Sequence, residues 1–130
     1  MKTLANCSDV EFLRQTNRIR KYAEAWLKDT GVLEIRKREL PKPDDDLSEE
    51  EKREVYRQNA RARLNDMLDA ALDTHAEQTA GLIRLMCFVE PDDDKTLKVP
   101  QMLGAVSELM DNKDVLDFFT SLGRLGLMNT

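Results

Sequence analysis

Apolar residues fall at helical spacing almost from the start of the chain. Phe12, Leu13, Ile19, Ala23, Trp26 and Leu27 follow one face of a 3.6-residue period. Arg14, Arg18, Arg20, Lys21 and Lys28 run between them, so the pattern predicts an amphipathic helix with a basic outer side. Ser8-Asp9-Val10-Glu11 reads as its capping box, in which the Ser8 hydroxyl accepts the Glu11 N–H and the Glu11 carboxylate accepts the Ser8 N–H. Gly31 is placed to close the helix in the left-handed conformation. Val32 to Leu40 is read as a short helix, with an extended arm as the alternative, and Pro41 ends it.

Pro41-Lys42-Pro43-Asp44-Asp45-Asp46 breaks the pattern and reads as an extended, solvated joint. A second capping box follows at Ser48 to Glu51, with three acids at the positive end of a helix dipole. Ala60, Leu64, Met67, Leu68, Ala71, Leu72, Ala76, Leu82, Ile83 and Met86 then form a stripe running from Ser48 towards Phe88. A helix of that length would span roughly 60 Å, so a break is expected near Thr79-Ala80-Gly81. Its first turns, Glu49 to Gln58, are nearly devoid of apolar residues and are expected at the surface. Glu90-Pro91-Asp92-Asp93-Asp94 is a second acidic joint, without the ligand alternation, central Gly and terminal Glu of a calcium loop. Pro100 suits the first turn of a helix to Met110 with Met102, Leu103, Val106, Leu109 and Met110 on its apolar side. Asp111 or Asn112 can cap a last helix bearing Val115, Leu116, Phe118, Phe119, Leu122, Leu125 and Leu127.

These elements predict an all-α protein, a small bundle of about four to six helices with one long central helix and Pro/Asp-rich joints. Its 130 residues suit one helical domain, divided at 1–40, 41–47, 48–90, 91–99 and 100–130. Composition agrees: 41% hydrophobic, 35% charged and 5% aromatic residues with 5 Gly argue against sandwiches and barrels. No apolar run is long enough for a membrane span, and Met1 to Asn6 carries no secretion-signal core, so a cytoplasmic protein is expected. Cys7 and Cys87 then read as reduced thiols, Cys87 within the core run Leu85 to Val89.

Little catalytic chemistry is on offer. There is no Gly-rich phosphate loop, nucleophile elbow or paired-histidine motif, and His75 is the single histidine, so no catalytic, cofactor or metal residues are expected and the chain is read as no enzyme. Asp66, Asp69 and Asp73 form a carboxylate row, read as a solvated edge, with a metal site as the enzymatic alternative. The net charge of −5 is unevenly spread: residues 1–43 hold ten basic and six acidic side chains, and residues 44–54 hold two and seven. The basic stripe could meet phosphates through Arg14, Arg18, Lys21 and Lys28, but no aromatic or Gly-rich nucleic-acid module accompanies it. A protein-facing role is the stronger reading, and methionines on or near apolar faces, Met67, Met86, Met102, Met110 and Met128, suit either an adaptable partner surface or gap-filling in a core, the latter favoured.

The opening Lys2-Thr3-Leu4-Ala5-Asn6-Cys7-Ser8-Asp9-Val10-Glu11-Phe12-Leu13 and the later Asp114-Val115-Leu116-Asp117-Phe118-Phe119-Thr120-Ser121-Leu122 resemble small proteins of tailed phages and prophages of Gram-positive hosts. The family they resemble is the siphophage tail assembly chaperones. The resemblance implies a factor of the host cytoplasm, absent from the mature virion. It would bind the helical tape measure protein, and in addition the tail tube protein, keeping the former soluble until the tube polymerises. A holdase needs exposed apolar side chains, and the candidates are Leu103, Val106 and Met110 of one helix and Leu116, Phe119 and Leu122 of the next. The same surface could drive self-association. A nucleic-acid-binding regulator acting through the first helix is the alternative.

Overall fold

The six helices among the described residues owe their ends to local chemistry that can be read residue by residue. A computed structural model describes residues 1–124, excepting the side chains of Phe119, Leu122 and Arg124. The helices are α1 (Asp9–Thr30), α2 (Val32–Lys37), α3 (Glu49–Asp69), α4 (Ala76–Met86), α5 (Val99–Met110) and α6 (Lys113–Arg124), with a π turn at Ala70–Thr74 and no strand among the described residues. The protein is all-α. Both capping boxes form. Glu11 N donates to Ser8 Oγ at 3.3 Å and Ser8 N to Glu11 Oε1 at 3.2 Å, and Ser48 and Glu51 repeat the exchange at 3.2 and 3.3 Å. Gly31, at φ 68°, closes α1, its N–H donating to Leu27 O at 3.1 Å. Asn112, rather than Asp111, caps α6 by accepting the Val115 N–H at 3.1 Å.

The chain forms two compact units. One comprises Met1–Trp26 and the chain from Glu77 onward, and the other Leu27–Ala76. The first contains two apolar clusters. Leu4, Ile19, Leu85, Leu109 and Val115 make one, with Phe12, Tyr22 and Phe88 packed against it. Cys87, Val89 and Met102 make the other, flanked by Ile83, Leu97 and Val106. Phe12 and Phe118 meet edge to face at 4.8 Å, a geometry that adds to simple burial.

Two side-chain hydrogen bonds help position α1. Gln15 is buried and donates through Nε2 to Leu85 O at 2.6 Å, joining the Phe88 N–H, 3.3 Å away, on a carbonyl at the end of α4. Trp26 Nε1 donates to Thr79 Oγ1 at 2.8 Å. Leu13, expected inward, is instead 58% exposed, because the inward arc of α1 passes through Phe12, Gln15, Thr16, Ile19 and Tyr22.

The break after α3 falls earlier than Thr79-Ala80-Gly81. His75 N bonds to Ala70 O at 3.0 Å, the i→i+5 spacing of a π turn, and His75 itself leaves helical geometry at φ −118°, ψ 38°. Gly81 lies inside α4. A Cβ there would overlap the Tyr22 hydroxyl and come within 3.2 Å of Pro91 Cβ, so this glycine serves close approach of α1 to α4 rather than a helix end.

In the unit Leu27–Ala76, α2 and the following joint lie against α3. Arg38 Nη1 bonds Asp66 Oδ2 at 3.0 Å, Arg63 Nη1 donates to Arg38 O at 3.2 Å, and Asn59 Nδ2 donates to Pro41 O at 3.3 Å. Pro41, the first residue of the joint read as solvated, is thus tied to α3 by a hydrogen bond. No residue of α3 is buried, in keeping with its polar first turns.

Candidate functional site

The α5–α6 pair divides its apolar side chains between core and surface. Pro100 stands in the first turn of α5, and Lys98 N donates to Gln101 Oε1 at 2.9 Å. From that start, seven-residue spacing sends Met102 and Leu109 into the two clusters at 0% and 4% exposure. Leu103, Val106 and Met110, at i, i+3 and i+7, follow a neighbouring row. Leu103 and Met110 are 48% and 57% exposed, whereas Val106 is half-buried and packs beside Met102. On α6, Val115 enters the core and Leu116 is 39% exposed. The side chains of Phe119 and Leu122 lie outside those described. The row Leu103–Val106–Met110 is therefore a surface stripe anchored at its middle, and Leu116 lies on the outer side of the next helix.

The methionines follow no single rule. Met102 is fully buried, Met67 and Met86 are half-buried and Met110 is exposed, while Met128 lies outside the described residues. Of the thiols, Cys87 is buried and Cys7 half-buried, and both are free. Burial pushes the Cys87 thiol above its ordinary pKa, which disfavours its thiolate and hence its reactivity.

Charged side chains are distributed over structural pairs. Arg18 grips Glu90 with two nitrogens, at 2.8 and 3.2 Å. The hydrogen bond, aided by charge, holds the Glu90 carboxyl below its usual range and raises the Arg18 pKa. Arg20 bonds Asn17 and Glu24. One member of the phosphate-facing quartet is thus already engaged by a carboxylate, while Arg14, Lys21 and Lys28 are exposed along α1. In the α4–α5 joint, Asp93 accepts from Lys95 N, Thr96 N and Thr96 Oγ1 at 3.0, 3.1 and 2.5 Å. Those bonds, that of the Thr96 hydroxyl foremost, lower its pKa.

Asp66, Asp69 and Asp73 do not converge, and Asp66 is paired with Arg38. Among the described residues no group of three His, Cys, Asp or Glu side chains is placed to hold a metal ion. A hollow of about 260 Å³ lies among Leu4, Ala5, Asp9, Phe12, Asn112, Asp114 and Val115. Its carboxylates, Asp9 and Asp114, stand in the first turns of α1 and α6, where they complement the helix dipoles. Among the described residues no helix is long and apolar enough to cross a membrane. No protein-family model matches the chain, and neither a curated protein nor a solved structure matches it.

Sequence periodicity missed one surface. Leu64, Leu68 and Leu72, expected on the buried stripe of the long helix, are 52%, 44% and 62% exposed. The half-buried row of α3 is Lys52, Val55, Asn59, Arg63 and Met67, whose polar members hid it from an apolar count.

Proposed function

We propose that this protein is a non-catalytic tail assembly chaperone. It binds the tape measure protein of a tailed phage in the host cytoplasm, keeps it soluble while tube subunits polymerise, and is absent from the mature virion. The observation that carries the reading is the exposure of Leu103 and Met110, at 48% and 57%, on a helix whose neighbouring row is buried core. A rigid helix held by Met102 and Leu109 presents apolar side chains suited to an amphipathic helical client. In this reading Leu103, Val106, Met110, Leu116, Phe119 and Leu122 contact that client. The net charge of −5 would help keep the complex dispersed. The resemblance in the Lys2–Leu13 and Asp114–Leu122 segments supplies the identity of the client.

Coexpression with a cognate tape measure protein tests the reading. The tape measure should become soluble and co-purify, and Leu103→Asp with Met110→Asp should abolish both effects while the circular dichroism of the chaperone is unchanged. A tape measure that stays insoluble, with no complex recovered, would overturn it.

A further inference from the structure

The exposed leucines of α3 and the π turn form an apolar surface on the unit Leu27–Ala76. In an α-helix a step of four residues overshoots a full turn by about 40°. The wider π turn at Ala70–Thr74 takes up much of that overshoot, so Leu72 stays in line with Leu68 and Leu64. The unit that carries this stripe has little interior of its own: Val32 is its single buried apolar side chain among the described residues. Small units with so slight a core are commonly completed by oligomerisation.

The charges beside the stripe indicate what covers it. Arg61, Asn65, Asp69 and Asp73 run along its edge at four-residue steps, all exposed. Asp66 is taken by Arg38, whereas Arg61, Asp69 and Asp73 form no ion pair among the described residues. The row is positive at one end and negative at the other, so it complements its own reverse. A second copy supplies that reverse automatically, since a twofold interface brings the same patch to both sides.

We propose that α3 and the π turn form the twofold interface of a homodimer, packing antiparallel on those of a second copy around Leu68. In that arrangement Leu68 meets Leu68 of the partner subunit, and Leu64 meets the partner's Leu72. Arg61 lies beside the partner's Asp73, and Asn65 beside the partner's Asp69. A parallel pair would instead place the two charged rows on opposite sides of the seam, so Arg61 would have no aspartate of the partner subunit beside it.

Sedimentation of the full chain tests the oligomer, and cysteine pairing tests its direction. The wild type should sediment at twice its 15.0 kDa mass, and Leu68→Asp should shift it to monomer. Arg61→Asp and Asp73→Arg should each weaken the dimer at least several-fold, and the double substitution should restore it. Restoration is not expected of a variant that merely misfolds. Under mild oxidation, Leu64→Cys chains mixed with Leu72→Cys chains should give a disulfide-linked dimer that neither forms alone beyond the wild-type background from Cys7 and Cys87. A chain that remains monomeric at all concentrations overturns the proposal, as does a dimer indifferent to Leu68→Asp. So does Leu64→Cys linking to itself, the parallel result, or a monomer that loses client capture on Leu68→Asp, which would make the stripe a client site.

Discussion

At the scale of single residues, the least apolar interior positions define how α1 meets α4. Gln15 reaches a helix-end carbonyl, and Tyr22 lies over Gly81 so closely that no side chain fits beneath it. Burial also raises the Tyr22 pKa above its ordinary value, although nearby Arg84 pulls the other way, so the phenol stays neutral. Phe88, at φ 57°, holds the left-handed conformation that usually falls to glycine after a helix. Its ring packs against the core and lies 4.8 Å from Lys2 Nζ, contacts that offset the backbone cost. The Gly81 contact has a direct consequence. Gly81→Ala gains helix propensity of under about 1 kcal/mol but forces Tyr22 aside, an overpacking cost of about 1–3 kcal/mol. Thermal unfolding should therefore show a lower Tm for Gly81→Ala, partly recovered by adding Tyr22→Phe, which removes the overlapping hydroxyl. A Tm equal to or above wild type would mean that the two helices are free to separate.

At the scale of elements, what could be read from the chain was the chemistry of helix ends. Ser8 with Glu11, Ser48 with Glu51, Gly31 and Pro100 all act where their local sequence places them, because capping involves neighbours within one turn. The break in the long helix was not legible at its true place. Glycine signals both a helix end and a close approach, and only the position of Tyr22 decides between them at Gly81. The π turn over Ala70–Thr74 has no such marker, since its residues are ordinary helix formers or neutral ones. The candidate site was legible in part: periodicity found the apolar residues of α5, but Leu103 and Leu109 look alike until tertiary packing chooses a row. On α3 the half-buried row includes Lys52, Asn59 and Arg63, so counting apolar residues found Ala60 and Met67 but also took the exposed Leu64, Leu68 and Leu72 as inward. Because α3 buries no residue, its stability rests heavily on local terms. Ser48→Ala should thus cost about 1 kcal/mol of helix stability, seen as faster hydrogen exchange in residues 49–54 with little change in α5. Unaltered exchange there would show that other contacts hold the first turn of α3.

At the scale of the whole molecule, the acidic balance is a set of local arrangements rather than a uniform field. The carboxylates held below their usual range, Glu90 and Asp93, both lie in the joint between α4 and α5. Glu90 ties that joint to α1 through Arg18, while Asp93 folds the joint on itself through Thr96 and Lys95. Folding favours the ionised form of each. Their contribution is therefore complete at neutral pH, above the unfolded carboxylate pKa, and is lost as pH falls through the depressed native values. Both groups face solvent, so the Arg18–Glu90 contribution is also screened by salt. Glu90→Gln keeps the size of the side chain and removes the titration. Its Tm should lie slightly below wild type at neutral pH, and the two values should converge on acidification because the wild type loses the pair and the variant has none to lose. High salt should narrow the neutral-pH gap as well. Tm curves that run parallel from neutral to acid would show that Arg18 and Glu90 contribute nothing to the joint, leaving Asp93 and the packing of Val89 and Leu97 to set its path.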